Sequence, residues 1–245
     1  MPGCGGGVLT VRIAPFALFL AAILQPAPAV AQSPEELEQI EPDEGETQIE
    51  IQTLFPSDDA DSYEIGIHHG WGERTILGMG IELEREDSGL AVEEVEFAAI
   101  RLLGRGAGVF RSAVAVSAAV GRHGGLSDAE LRLISESKPG GWWIQGNMML
   151  RHERNEADHA TGLAYAANVG RAVSDLAWLG VELSGAFATL QGDPEERNTH
   201  FAGLAGSIEV ELAGGRELEL GVVQSRRISG HGPLNAVRLF AQFTL

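Results

Sequence analysis

From Glu46 to Leu245 the sequence alternates between apolar and polar side chains with a period of two. In the first stretch Ile49, Ile51 and Thr53 are separated by glutamine and glutamate residues. This period is typical of β-strands whose two faces have different surroundings. About 12 such stretches follow one another along the chain, and single-chain bacterial barrels have even strand numbers. The sequence therefore predicts an all-β fold, a single antiparallel β-barrel of about 12 strands over residues 46–245.

The connections between these strands fall into two alternating sets. One set is short, as at 72–74 and 213–216, and the other is longer on the whole and more charged, as at 191–198 and 226–235. Transmembrane barrels have short periplasmic turns and longer outer loops, whereas a soluble β-sandwich predicts no such asymmetry. The pattern indicates a transmembrane β-barrel with both termini on the periplasmic side.

The period alone does not say which face points inward. The apolar face fills the interior of a soluble lipocalin-like barrel and lies on the outside of a membrane barrel. The polar face here is rich in Gly and Ala as well as Glu, the chain has a single lysine, Lys138, and it ends within a strand at the apolar Leu245. These features favour the membrane barrel and leave the soluble carrier as an alternative.

The N-terminal region indicates export. Residues 13–24 form an apolar run after Arg12 that is shorter than the roughly 20 residues of a spanning helix, and the triplet Ala29-Val30-Ala31 precedes Gln32. We expect 1–31 to be a signal peptide cleaved after Ala31, with an uncleaved anchor as the rival interpretation. The acidic residues 32–45 are expected to form a flexible periplasmic leader.

Charge and cysteine content exclude several classes of function. The chain has 17 Lys and Arg against 35 Asp and Glu, which argues against nucleic acid as a partner, because phosphates need basic contacts. The only cysteine, Cys4, lies in the predicted signal peptide. We therefore expect no disulfide and no cysteine metal site in the exported protein.

The polar strand face supplies the candidate functional residues. The residues expected to line the lumen, as a pore or as a plug, are Glu50, Glu64, Glu82, Glu84, Glu94, Glu96, Arg132, Arg151, Glu182, Glu209, Glu219 and Arg238. In a hydrated lumen such carboxylates would disfavour anions and admit cations or neutral solutes. Alternatively, Glu–Arg pairs fill the lumen and only neutralise buried charge.

No pattern points to catalysis, a cofactor or a metal site. Glutamate at every second position follows simply from a polar strand face, and His68 and His69 are neighbours in a strand, so they point to opposite faces. The remaining histidines match no recognised metal-site spacing. We expect the protein not to be an enzyme and assign it no catalytic residue, metal or cofactor.

Aromatic residues fall near the predicted strand ends. The expected interfacial girdles comprise Trp71, Trp142, Trp143 and Trp178 at the periplasmic ends, and Tyr63 and Phe187 toward the outer ends.

Three short motifs resemble a group of proteobacterial outer-membrane barrel proteins of unknown function. They are Glu-Ile-Gly-Ile-His-His-Gly-Trp-Gly-Glu-Arg at 64–74, Gly-Ile-Glu-Leu-Glu-Arg-Glu at 80–86 and Val-Glu-Phe at 95–97. That group is distantly similar to porin and transporter barrels such as the copper-resistance B and aromatic-compound uptake proteins. The resemblance implies a barrel and transport. The Met- and His-rich leader of copper-resistance B proteins is absent, which argues against copper.

Three hypotheses follow for the exported protein. The first is a narrow channel or uptake protein for small cationic or neutral solutes in the outer membrane. The second is a closed structural or interaction barrel with a plugged lumen, and the third is the soluble carrier. For a membrane barrel the expected partners are outer-membrane lipid and, through the C-terminal strand, the barrel-assembly machinery.

Overall fold

The structure of the chain is a computed structural model. It describes residues 37–57, 60–86, 88–104, 109–154, 159–191 and 199–245. The predicted signal peptide, 1–31, lies outside the described residues, as does the start of the leader. In the part of the chain that is described, no helix is long and apolar enough to span a membrane.

Twelve strands form one closed antiparallel barrel, which confirms the predicted fold class. The strands are β1 (Thr47–Pro56), β2 (Ser62–Gly70), β3 (Thr75–Glu86), β4 (Gly89–Leu102), β5 (Phe110–Gly121), β6 (Leu126–Ser137), β7 (Trp142–Arg154), β8 (His159–Ser174), β9 (Ala177–Gln191), β10 (Thr199–Leu212), β11 (Arg216–Ser229) and β12 (Asn235–Thr244). Each strand pairs with its neighbours in the chain, and β1 pairs with β12, from Gln48↔Thr244 to Pro56↔Ala236. The shortest strand has 9 residues and the longest 16, so each can cross a bilayer, for which about 9–11 residues suffice.

The two faces of the sheet differ as the sequence predicts. Ile51, Leu131 and Leu183 lie outside with 42% to 52% of their surface exposed. Gln52 and Glu182, one residue along their strands, are buried inside. A polar interior within an apolar outer surface is the arrangement of a membrane barrel. The soluble-carrier alternative, which requires the apolar face to point inward, is therefore wrong.

The two ends of the barrel are distinct. We call the end with Thr47 and Leu245 the terminal end and the opposite one the far end. At the terminal end the β10–β11 turn is only three residues long, 213–215, and its two glycines, Gly214 and Gly215, have positive φ of +88° and +75°. Glycine adopts this left-handed conformation without the steric cost that a Cβ would bring, which permits so tight a reversal.

The predicted tryptophan girdle is wrong for two of its four members. Trp71 and Trp142 are exposed, at 68% and 44%. Trp143 shares the inner face with Gln145, and the ring of Trp178 lies over Gly170 and Gly180, where an added Cβ would come within 2.7 Å of the indole. Glycines on the inner wall thus make room for the ring of Trp178. The sequence pattern predicts only that these tryptophans lie near a strand end.

We predict that Leu131→Arg destabilises the barrel in lipid vesicles by about 2–4 kcal/mol, because it places a charge on the outer face at mid-strand. The matched variant Leu103→Arg, in the β4–β5 turn at the terminal end, should cost about 0–1 kcal/mol. Urea unfolding followed by tryptophan fluorescence measures both. Equal losses for the two variants would contradict a lipid-facing outer surface.

Candidate functional site

Residues 37–46 run inside the barrel, and we call them the lumen segment. They enter at the terminal end, where Gly45 N donates a hydrogen bond of 2.9 Å to Gly70 O and Glu44 forms a parallel bridge with Gly70. From there the segment crosses the lumen toward β5 to β8.

Ile40 anchors the lumen segment in an apolar patch on the inner wall. Its side chain is fully buried and packs with Ile76, Ile100, Ile134 and two alanines of β5. Its backbone N donates a 2.8 Å hydrogen bond to Glu136 Oε1. Burying a side chain of this size stabilises the docked state by about 1.5–3 kcal/mol.

A second group of contacts holds the segment deeper in the barrel. Leu37 packs against Met149, Ala164 and Ala166, near the middle of β7 and β8. The carbonyl oxygen of Glu38 accepts hydrogen bonds from Gln145 Nε2 at 2.6 Å and Asn147 Nδ2 at 3.2 Å. The backbone polar groups of the segment are therefore bound by side chains of the wall.

Three ion pairs tie the acidic side chains of the segment to bases of the wall. Their members are Glu38 and Arg132 at 3.6 Å, Glu41 and Lys138 at 3.5 Å, and Asp43 and Arg111 at 3.5 Å. The segment thus brings negative charge to the basic side chains of β5 and β6.

Residues 37–45 belong to the predicted periplasmic leader, and in the structure they contact the inner wall of the barrel; the flexibility and cellular side of the leader stay predictions. Acidic composition predicts a solvated stretch, but Leu37 and Ile40 are large apolar residues that dock against the inner wall. The apolar patch that receives Ile40 was not predicted either. Ile76 and Ile100 lie on the polar face, an even number of residues from Gly78 and Glu96, and this spacing could have identified them as inward-facing residues.

Arg132 and Arg151 come together around Glu130, a residue that the prediction did not include. Arg132 Nε lies 2.5 Å from Glu130 Oε1, and Arg151 Nη2 lies 3.2 Å from Glu130 Oε2. Arg151 also lies 3.7 Å from Asp128. Because Glu130 is almost fully buried, this cluster neutralises charge on the β6–β7 side of the lumen.

Arg238 and Glu182 form a second buried pair. Arg238 Nη2 donates to both carboxylate oxygens of Glu182, at 3.0 and 2.9 Å. The two residues are on β12 and β9, so the arginine reaches over the two strands between them. Ala205 of β10 and Val223 of β11 line the same inner space as the pair.

The remaining predicted lumen residues divide between two walls. Six carboxylates of β1 to β4 lie on the inner face, and we call them the acidic wall: Glu50, Glu64, Glu82, Glu84, Glu94 and Glu96. Gln242 and Gln52 donate 3.2 Å hydrogen bonds to Glu50 and Glu64, and Ser127 donates one of 2.8 Å to Glu94. Glu209 and Glu219 lie opposite each other on β10 and β11, near the terminal end.

Two cavities lie between the lumen segment and strands β7 to β12 and β1. The larger, the terminal vestibule, has a volume of about 410 Å³ and is lined by Trp143, Trp178, Glu209, Glu217, Glu219 and Gln242, with Glu41 and Lys138 on the segment side. The smaller has about 30 Å³ and lies beside Arg238, Glu182 and Phe240, with room for about two water molecules. The two share Trp143, Trp178 and Gln242, so the path narrows from the vestibule to the Arg238–Glu182 pair.

Glu41 is the titratable group of the segment that faces the vestibule. Burial raises the pKa of Glu41 to about 7, and the carboxylates of Glu136 and Glu219 act in the same direction. Lys138 and Arg111 oppose this shift of the pKa.

The histidine side chains that the structure describes have separate surroundings. His68 faces the lumen beside Gly78, while His69 lies 3.0 Å from Thr47 Oγ1. His152 and His200 contact Thr161 and Tyr165. Within the described ranges no three His, Cys, Asp or Glu side chains converge closely enough to hold a metal ion.

The barrel is similar to solved outer-membrane structures. The NanC porin matches with a TM-score of 0.58 at 5% identity over 81% of this chain and 98% of its own. The KdgM porin matches with a TM-score of 0.55 at 12% identity over 80% of this chain and 98% of its own. An outer-membrane channel from Pseudomonas putida F1 matches with a TM-score of 0.57 at 11% identity over 87% of this chain and 99% of its own. The chain has a porin-type barrel fold. No protein-family model and no curated protein sequence matches it.

At these identities the comparison shows the shared fold. It supports the predicted resemblance to porin-like barrels in the coarse sense. The finer relation to copper-resistance B or aromatic-compound uptake proteins stays a prediction.

We predict that Arg238→Met lowers the free energy of unfolding by about 3 kcal/mol, because it leaves Glu182 buried without its cation. The double variant Arg238→Met/Glu182→Gln should lower the free energy of unfolding by less, since it removes both charges. Arg226→Met, at an exposed position, is the control and should stay close to the wild type. Urea unfolding in detergent micelles measures all three, and a single variant as stable as the control would contradict a structural role for the pair.

Proposed function

We propose that the protein is an outer-membrane channel for small cationic or neutral solutes, narrowed from inside by the lumen segment. The observation that carries the proposal is the combination of an apolar outer surface with a polar, predominantly acidic inner wall that still contains cavities beside the segment. The proposal gives the barrel no catalytic role.

Several features support a place in the outer membrane. A closed antiparallel barrel leaves no unpaired sheet edge, which is what hydrocarbon surroundings require. The predicted signal peptide would deliver the chain to the periplasm. On this proposal the terminal end is periplasmic, and β12, with its apolar outer residues, is the strand that the assembly machinery would recognise.

The charge of the lumen supports cations over anions. The acidic wall and the carboxylates at 209–219 outnumber the arginines that face them, and acidic rings disfavour anions. One KdgM structure is of a complex with oligogalacturonate, which is a polyanion. The acidic lumen gives no reason to carry that solute class over to this chain.

A closed interaction barrel is the second candidate. The observation in its favour is the constriction of about 30 Å³ at Arg238, Glu182 and Phe240. If the segment and this pair stay in place permanently, the barrel passes no solute and its far-end loops become the functional surface.

We predict cation-selective single-channel steps for the purified protein in a planar bilayer, and larger steps for Ile40→Asp. An aspartate cannot stay in the apolar patch of Ile76, Ile100 and Ile134, because a buried unpaired charge is strongly unfavourable, so the segment undocks. Ile40→Val is the matched control. It should lose only about 1 kcal/mol of docking and conduct like the wild type.

Glu82→Gln and Glu96→Gln should weaken the cation selectivity, since each removes a charge from the acidic wall. A correctly folded, heat-modifiable barrel that stays silent even as Ile40→Asp would rule out the channel. That result would favour the closed interaction barrel.

We predict that conductance rises between pH 5 and pH 8. Docking raises the pKa of Glu41 from its ordinary value of 4.5 to about 7, so the docked segment holds its proton more tightly than the undocked one. Docking of the segment is therefore strongest below about pH 4.5 and weakens as the pH rises through about 7. Besides Glu41, the groups facing it are Lys138, Arg111, Glu136 and Glu219.

Glu41→Gln should keep the low conductance of the protonated form at both pH values. Glu44→Gln, at an exposed position of the same segment, should keep the pH response of the wild type. A full pH response in Glu41→Gln would assign the response to another group.

A further inference from the structure

Among the described residues that line the terminal vestibule, four glutamates, Glu41, Glu209, Glu217 and Glu219, face a single basic residue, Lys138. Glu209 lies directly opposite Glu219, and Glu211 directly opposite Glu217, on the paired strands β10 and β11. Like charges directly opposite each other on an antiparallel pair destabilise it. Throughout the described ranges, no basic side chain lies within 4.0 Å of the carboxylates of Glu209, Glu211 or Glu217. This wall therefore has room for a positive charge from outside the chain.

The wall that adjoins these carboxylates is aromatic, since Trp178 on β9 pairs with Ser207 on β10. Trp143 and Trp178 meet edge to face, with centroids 5.2 Å apart and planes at 80°. Indole faces attract ammonium groups within about 6 Å of the ring centroid. The chain already provides one example, since Lys138 Nζ lies 5.1 Å from the centroid of Trp143. Aromatic faces beside carboxylates suit a cation that has an apolar body.

Gln242, a residue of the vestibule wall, has a buried acceptor without a partner among the described residues. Gln242 lines the vestibule and is only 6% exposed, and its Oε1 accepts no hydrogen bond, while its Nε2 donates to Glu50. Buried polar groups are rarely left unsatisfied, because an unmade hydrogen bond is costly. An N–H donor of a ligand would satisfy this oxygen.

Size and donor geometry distinguish the kinds of cation. The volume of about 410 Å³ falls in the usual range for small-molecule sites, about 300–1,000 Å³. A bare metal ion fits poorly, because among the described residues no three carboxylate or histidine side chains are arranged to hold one. An organic cation uses the carboxylates, the indoles and the amide together.

We propose that the terminal vestibule is a binding site for a small organic cation that carries N–H donors, a primary arylalkylammonium being the class that matches its walls. The ammonium lies between Glu209, Glu217 and Glu219, the apolar body rests on Trp143 and Trp178, and one N–H reaches Gln242 Oε1. The biological role of this site rests on the proposed channel function, because the site would select the class of solute that enters the channel. The binding itself requires no conduction.

The test is isothermal titration calorimetry on the full exported chain in detergent micelles, with phenethylammonium as the probe. The neutral analogue 2-phenylethanol controls for partition into micelles, and phenethyltrimethylammonium has the charge without an N–H. We expect phenethylammonium to bind roughly tenfold or more tightly than the alcohol, a factor that corresponds to about 1.4 kcal/mol. Equal heats for the ammonium and the alcohol in the wild type would overturn the proposal.

The site is located with matched variants. The triple variant Glu209→Gln/Glu217→Gln/Glu219→Gln should weaken phenethylammonium binding by roughly tenfold or more. The control Glu44→Gln/Glu73→Gln/Asp175→Asn removes three exposed acids at the same end of the barrel that do not line the vestibule, and it should bind like the wild type. If both triple variants weaken binding equally, the effect is general electrostatics and the site is refuted.

The contribution of the amide is tested separately. Gln242→Leu should reduce the preference for phenethylammonium over phenethyltrimethylammonium, and an unchanged preference would contradict the assigned contact. Heat-modifiability on gels verifies that each variant has folded. Binding without bilayer current would support this site and refute the channel, whereas current without binding would support the channel and refute this site.

Discussion

Pairing of the first strand with the last is the interaction on which the rest of the molecule depends. In apolar surroundings every backbone N–H and C=O needs a partner within the protein, and a sheet meets that demand only when it has no edge. The contacts from Gln48↔Thr244 to Pro56↔Ala236 remove the last two edges. Once the sheet is closed, the period of two places every second side chain in a confined interior, and the polar half of the sequence must be accommodated there.

The lumen segment solves a problem that closure creates. The inner wall is acidic over β1 to β4, basic at Arg111 and Arg132, and apolar around Ile76 and Ile100. An empty lumen would leave that apolar patch in water. The segment covers the patch with Ile40 and brings its acids to the bases, so one short stretch of chain satisfies both needs. Arg238 serves the β9 side in the same way by neutralising Glu182.

The strands and their faces could be predicted because period two is a local property of the sequence. Each residue of Gln48 to Thr53, for example, has its face decided by its immediate neighbours. Contacts across the lumen are not local. Nothing near Glu38 in the sequence indicates Asn147, 109 residues away. Trp178 shows the same limit, since its place near a strand end was predictable, but the space for its inward ring depends on Gly170 of the adjacent strand and on Gly180 of its own strand. Ile76 and Ile100 were within reach of the sequence, because they continue the polar face that was already recognised.

The location of the docking contacts has a consequence for the order of assembly. The described side-chain contacts quoted above for Leu37 to Asp43 come from β3 to β8, and none of them comes from the seam between β1 and β12. A partly built sheet that still lacks its last strands therefore already contains the residues that make these docking contacts with the segment. The segment is also joined directly to β1, so its insertion brings one side of the seam toward the growing sheet. The inner filling can therefore be in place before the wall around it is finished, and the chain never needs to thread its own N-terminal region through a completed ring.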